Sequence, residues 1–287
     1  MTIYIQMDKL YKHNKAKVLS IISHLNSSIK LEETDKNFWV LIGSYAINGQ
    51  KDNSDMDLFY FSESLKHPTR LKEKINGVLV SLCMVPTSSL ESDGLDRKYG
   101  GYFVGKLLHP YVLIKSNVPQ AYLEKYSSAF IIDFVGYIAK SHSHKVRFTE
   151  QELCSLVFLA FLSIHPEFDS YFMRFYLNPE FDSIWSMLSK RISRAFIRNK
   201  YVHKRKDDKY SISQGFKSHD EYRRARYLIG VRHSAFGSHF HNNDVNFQNK
   251  HIELSSGKKK ELDPTGIHYS GMISFLSELS GVDSLIF

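Results

Sequence analysis

Asp55 and Asp57 sit two residues apart at the start of an apolar run, Met56–Phe61, and Gly43-Ser44 closes an earlier one, Phe38–Ile42. In a strand alternate side chains share a face, so the two carboxylates are expected side by side. Two like charges held that way repel and lose solvation unless a cation lies between them. Oxygen-only ligands favour Mg²⁺ or Mn²⁺ over zinc. Gly43 would let a phosphate approach the backbone, Ser44 adds a hydroxyl donor, and a short helix opening at Tyr45-Ala46 would offer free N–H groups. A phosphate seat beside a metal seat is suited to in-line displacement at the α-phosphorus of a nucleoside triphosphate, with loss of pyrophosphate.

These residues need a strand, a turn and a second strand to hold them. Apolar positions at helical spacing predict a helix over 8–30, leading into a strand at 38–42 and another at 57–61. Residues 64–75 read as a mostly polar helix stopped by Asn76-Gly77, and VLVSLCMV at 78–85 as a buried strand. Two more strands are expected at 102–108 and 111–114, around His109-Pro110. Beyond about residue 120 the pattern is helical: 121–140, a helix opened by the capping box of Thr149 and Glu152, then 169–177, 181–202, 219–229 and 270–280. The polar stretch 234–268 reads as a long loop. The expected architecture is α+β, a small mixed sheet with flanking helices over 1–118, followed by a helical domain over 119–287.

Composition narrows the partners. The 287 residues carry a net charge of +8, concentrated between Lys190 and Arg232, where 14 basic residues face 4 acidic ones. Such density attracts a polyanion, either the pyrophosphate of a nucleotide or an RNA acceptor such as tRNA, and tilts against the alternative of a small-molecule acceptor such as an aminoglycoside, which would call for an acidic pocket, although a solvated helix face has the same composition. No apolar stretch approaches the length of a membrane helix and the amino terminus lacks a secretory pattern, so a soluble, cytoplasmic protein is expected. Cys83 and Cys154 lie among apolar neighbours and read as core residues. His233, His239 and His241 lack the thiols or spaced carboxylates of a zinc site. SSGKKKEL at 255–262 lacks the first glycine and the final hydroxyl residue of a phosphate loop.

Gly43-Ser44, the loop, and Ser54-Asp55-Met56-Asp57-Leu58 together resemble the signature of the DNA polymerase β superfamily of nucleotidyltransferases, in particular its small bacterial members that modify antibiotics, tRNA or proteins. The motif covers about residues 40–61, and the order of elements extends the likeness to about residue 115. The resemblance implies that Asp55 and Asp57 bind metal, that Gly43, Ser44, Tyr45 and Ser54 contact the nucleotide, and that Mg²⁺ or Mn²⁺ and a nucleoside triphosphate are required. Lys106, read as a strand residue, is a further candidate for the triphosphate charge. The family's third carboxylate, from a following strand, has no counterpart in VLVSLCMV. Glu91, Asp93 and Asp96 fall in what reads as the next loop, and Asp133 and Glu150 in the helical part are candidate general bases. The alternative is a catalytically reduced domain that keeps nucleotide binding as an interaction module.

Overall fold

A computed structural model describes residues 12–31, 34, 36–114, 117–165, 168, 172, 175–239 and 271–282. The chain is α+β. In order, it forms α1 (Lys15–Ile29), β1 (Phe38–Ile42), a single 3-10 turn (Ser44–Ile47), β2 (Met56–Ser62), β3 (Thr69–Ile75), β4 (Val78–Pro86), α2 (Ser88–Leu95), α3 (Tyr102–Lys106) and β5 (Tyr111–Ile114). There follow α4 (Gln120–His142), α5 (Glu150–Ile164), α6 (Phe181–Arg198), the hairpin β6 (Val202–Lys204) and β7 (Tyr210–Ile212), α7 (His219–His239) and α8 (Gly271–Ser280). Two compact units result, one holding the residues up to Glu91 with His109–Leu123, the other Ser92–Leu108 with the chain from Glu124 onward.

The first unit is built on a five-stranded sheet of order β3-β4-β2-β1-β5. The β2–β4 pair is parallel and the other three pairs are antiparallel. Alternation in β1, β2 and β4 sends Trp39, Leu41, Met56, Leu58, Val80 and Leu82 to one face, where Val18, Ile21, Ile22 and Leu25 of α1 close over them. Each such aliphatic side chain contributes about 1.5–3 kcal/mol when taken out of water, so α1 is held by packing more than by propensity. Phe38, Val40, Phe59 and Phe61 are buried on the opposite face, with the Phe38 and Phe61 rings stacked 4.8 Å apart.

Three expectations fail here. Residues 69–75, read as the end of a polar helix, are strand β3, because Asn76 (φ 49°) and Gly77 (φ 80°) both take left-handed conformations and turn the chain back as a tight hairpin, pairing Ile75 with Val78. An edge strand with a wet face lacks the apolar run that marks a buried one. Residues 102–106, read as a strand, are helix α3, and the acids at 91 and 93 lie on helix α2 rather than in a loop. Asp93 explains α3: its fully buried carboxylate accepts from the N–H groups of Tyr99, Gly101, Phe103 and Val104 at 2.8–3.2 Å, capping the helix from outside its own sequence. Burial pushes this carboxyl up to about 6, against the pull of those four donors.

In the second unit α5 is buried from Leu153 to Ile164, and Thr149 and Glu152 form the expected capping box. The helix expected over 181–202 stops at Arg198, and residues beyond it form the β6–β7 hairpin. The long loop expected from 234 begins no earlier than the end of α7 at His239; residues 240–270, which include His241 and SSGKKKEL, lie outside the described residues, as does most of 169–177. Among the described residues no helix is long and apolar enough to cross a membrane. Cys83 and Cys154 are both buried thiols outside any disulfide, and burial pushes the Cys154 thiol up to about 12.

Candidate functional site

At the end of β1 the chain leaves the sheet through Gly43, whose φ of 73° and ψ of −156° belong to a region open essentially to glycine. A Cβ on that residue would lie 3.0 Å from Asp57 Oδ2. The glycine of the motif and its second carboxylate are thus in direct apposition across β1 and β2, where Ile42 pairs with Asp57. Ser44 and Tyr45 open the 3-10 turn, closed by Ala46 N–H donating to Gly43 O at 3.1 Å. One such turn is too short for an appreciable macrodipole; its contribution is the N–H groups at its start, which have no partner within the turn. Ser44 is half-buried and Tyr45 buried in the core beneath α1.

Only Asp57 lies within strand β2; Asp55 is in the extended residues just before it. Met56 between them is fully buried in the core under α1, while both acids remain half-exposed outside that core. Ser54, expected at the nucleotide, closes the loop instead: its Oγ accepts from Lys51 N–H at 2.8 Å and its N–H donates to Lys51 O at 2.9 Å. That bond fixes the entry of the chain into Asp55.

A feature the sequence did not reveal lies on the other side of Asp57. In the parallel β2–β4 register Asp57 pairs with Ser81, and in the antiparallel β3–β4 register Ser81 pairs with Lys72. Arg70, two residues before Lys72 and so on the same face, turns its guanidinium back onto Ser81 Oγ, with Nε at 3.1 Å and Nη2 at 2.8 Å. The level of the sheet that runs Ile42, Asp57, Ser81 and Lys72 therefore has Gly43 just beyond one end and, at Ser81, the guanidinium of Arg70 reaching back from its place opposite Cys83; Lys72 is exposed. The signal was present as Arg70, Lys72 and Lys74 at period two ahead of Asn76-Gly77.

The remaining candidates lie in the second unit. Lys106 is on α3, its Nζ 5.5 Å from the centre of the Tyr102 ring and 5.4 Å from that of Phe168. Asp133, on α4, accepts from Arg97 Nη2 at 3.0 Å, and Glu150, at the start of α5, accepts from Ser193 Oγ at 2.6 Å. Much of the basic segment is occupied internally. Arg191 is buried and donates to the carbonyls of Leu107 and Leu108, Arg198 pairs with Glu124 at 2.9 Å, Lys204 pairs with Asp208, and Arg226 is buried. Lys190, Arg194, Lys200, Lys206 and Lys209 stay exposed.

Neither the protein-family models nor the curated proteins compared with the chain match it.

The donor set accommodates one divalent ion better than two. Asp57 offers a carboxylate beside Gly43 and Asp55 another two residues upstream, and a hard cation held by them would have its coordination completed by phosphate oxygens and water. Among the described residues no group of three or more His, Cys, Asp or Glu gathers at one point. The strand neighbour of Asp57 is a serine already bound to a guanidinium.

Proposed function

We propose that the first unit is a nucleotidyltransferase core of the polymerase β type. It would transfer a nucleoside monophosphate from a triphosphate to a hydroxyl or phosphate acceptor. The observation that carries this reading is the apposition of Gly43 and Asp57: a backbone conformation reserved for glycine, with a carboxylate where a side chain would stand. The missing side chain lets the Asp57 carboxylate come up against the backbone where the chain leaves β1, and in this reading the same lack of a Cβ lets a phosphate approach the backbone beside that acid. The order of helix α1, strand β1, turn and strand β2 also supports it.

In this reading Asp55 and Asp57 would hold a Mg²⁺ or Mn²⁺ ion, which would supply Lewis acidity to the phosphate oxygens. The N–H groups of Ser44 and Tyr45 and the Ser44 hydroxyl bind the leaving phosphates and fix the donor in line. The acceptor oxygen forms a bond to the α-phosphorus as the bond to the β-phosphate oxygen breaks, and pyrophosphate departs while the acceptor's proton passes to a base. Asp133 and Glu150 are each engaged by a partner in their own unit, so water or the acceptor's own phosphate is the simpler proton sink. The exposed lysines and arginine of α6 and the β6–β7 hairpin favour a phosphate-bearing acceptor, RNA above all.

A second reading is favoured by one observation, the serine and arginine beside Asp57 in place of a third acid. The chain would then bind the nucleotide without turning it over. To decide, the protein is incubated with each α-labelled triphosphate and Mg²⁺ or Mn²⁺, with total tRNA and then a metabolite extract as acceptor. Label in an acceptor, absent with the Asp55→Asn/Asp57→Asn variant, supports transfer. Triphosphate-dependent thermal stabilisation with no labelled product in any mixture supports the binding module.

A further inference from the structure

Resting on the phosphate-binding reading of this site, we propose that Arg70 is a direct ligand of the nucleotide's polyphosphate chain, held in place by Ser81. Among the described residues the guanidinium bonds only to Ser81 Oγ, through Nε and Nη2. Of the five N–H groups of arginine this leaves the outer ones without an acceptor. A serine hydroxyl accepting two donors from one guanidinium carries no charge to offset it, so the full positive charge of Arg70 remains available. Ser81 is buried, which limits the rotation of the fork it anchors.

The level of the sheet places this charge correctly. Gly43 follows β1, Asp57 is on β2 and Ser81 on β4, so the row from the cradle to the serine crosses two strand spacings, about 10 Å in all. A triphosphate lying across the strands with one end at Gly43-Ser44 brings its other end to the guanidinium. The phosphate chain carries more negative charge than one divalent ion neutralises. A fixed arginine on the far side of Asp57 supplies the rest without a second metal site, and its planar fork suits two phosphate oxygens at once. Lys72, exposed and register-paired with Ser81, adds a flexible charge at the rim. Arg70 is therefore more than a counter-charge for Asp57, since its free donors point to a ligand the protein does not itself provide.

Inorganic tripolyphosphate, which has no base or sugar, is the probe, and its affinity for the full chain is measured with Mg²⁺ and with EDTA. Arg70→Gln, which can still bond Ser81, should weaken binding about tenfold or more, with Arg70→Lys in between and Ser81→Ala reducing affinity through the loosened fork. The deciding comparison is made in the Asp55→Asn/Asp57→Asn background with EDTA. A direct ligand still loses affinity there on Arg70→Gln, whereas an arginine that merely offsets the carboxylates has no effect. Unchanged affinity on Arg70→Gln in either background, with the circular dichroism of the parent, overturns the proposal, as does failure of the wild type to bind tripolyphosphate. Arg70-dependent binding with no labelled acceptor in any mixture would sustain Arg70 as a ligand while removing the transferase reading. Undiminished transfer and tripolyphosphate affinity in Arg70→Gln would do the reverse.

Discussion

Replacing Gly43 by alanine tests the geometry of the site from the inside. The backbone at φ 73° and ψ −156° costs a residue with a Cβ about 1–3 kcal/mol, and the new methyl would stand 3.0 Å from Asp57 Oδ2. The carboxylate end can swing away from so close a contact, so the steric cost in stability is small; the consequence is that Asp57 no longer faces the cradle. Gly77 provides the control. Its φ is 80°, but an added Cβ meets nothing within 4 Å, so Gly77→Ala carries the backbone strain, about 1–2 kcal/mol, without touching the site. Denaturant unfolding should show both variants destabilised by similar amounts. Mg²⁺-dependent thermal stabilisation by tripolyphosphate should be lost in Gly43→Ala and kept in Gly77→Ala. Adding Asp57→Ala to Gly43→Ala should recover less than about 0.5 kcal/mol, because the carboxylate has already swung clear of the methyl. A Gly43→Ala protein within about 0.5 kcal/mol of wild type that still responds to tripolyphosphate would show that neither the backbone at Gly43 nor its apposition to Asp57 matters to binding.

Other consequences are equally direct. Asp93 has a folded pKa near 6 against 3.8 for the free group, so the folded state holds the proton longer and this carboxyl's contribution falls as pH rises from about 4 to about 6. The wild type should lose up to about 3 kcal/mol of stability relative to Asp93→Asn over that window; a difference that is flat, or rises with pH, would show that the four N–H bonds outweigh burial. The same variant sets an amide N–H₂ against backbone N–H donors and should carry a pH-independent loss of about 1–3 kcal/mol as well. Thr149→Ala removes the acceptor for Glu152 N–H and should cost about 1 kcal/mol in denaturant unfolding. Cys154, buried and with its thiol pushed up to about 12, should resist alkylation at neutral pH until the protein unfolds, and native labelling would contradict that burial.

What could be read from the sequence depended on whether a residue's partner was local. Strands β1, β2 and β4 are apolar runs buried on both faces, and the capping box of α5 is complete within four residues, so each announces itself. Gly43, Ser44, Asp55 and Asp57 stood out because their types conflict with such runs. Strand β3 did not, since its wet face carries Arg70, Lys72 and Lys74, and hairpin turn chemistry at Asn76-Gly77 can also be taken for a helix stop. Helix α3 depends on a carboxylate six to eleven residues upstream of the N–H groups that it accepts from, beyond any local pattern. The basic segment illustrates a further limit: charge counts do not distinguish Arg191, buried against two carbonyls, from Lys206 in solvent.

In the proposed site a metal-bound triphosphate lies across the sheet from Gly43, past Asp57, to the guanidinium that Arg70 holds at Ser81. A crystal structure of the full chain with Mg²⁺ and a non-hydrolysable triphosphate tests it most directly. The expected result is one ion shared by Asp55, Asp57 and phosphate oxygens, with the chain of phosphates lying between the Ser44 backbone and the Arg70 fork. A nucleotide bound elsewhere, or Asp57 turned away from Gly43 with the ion absent, would contradict it.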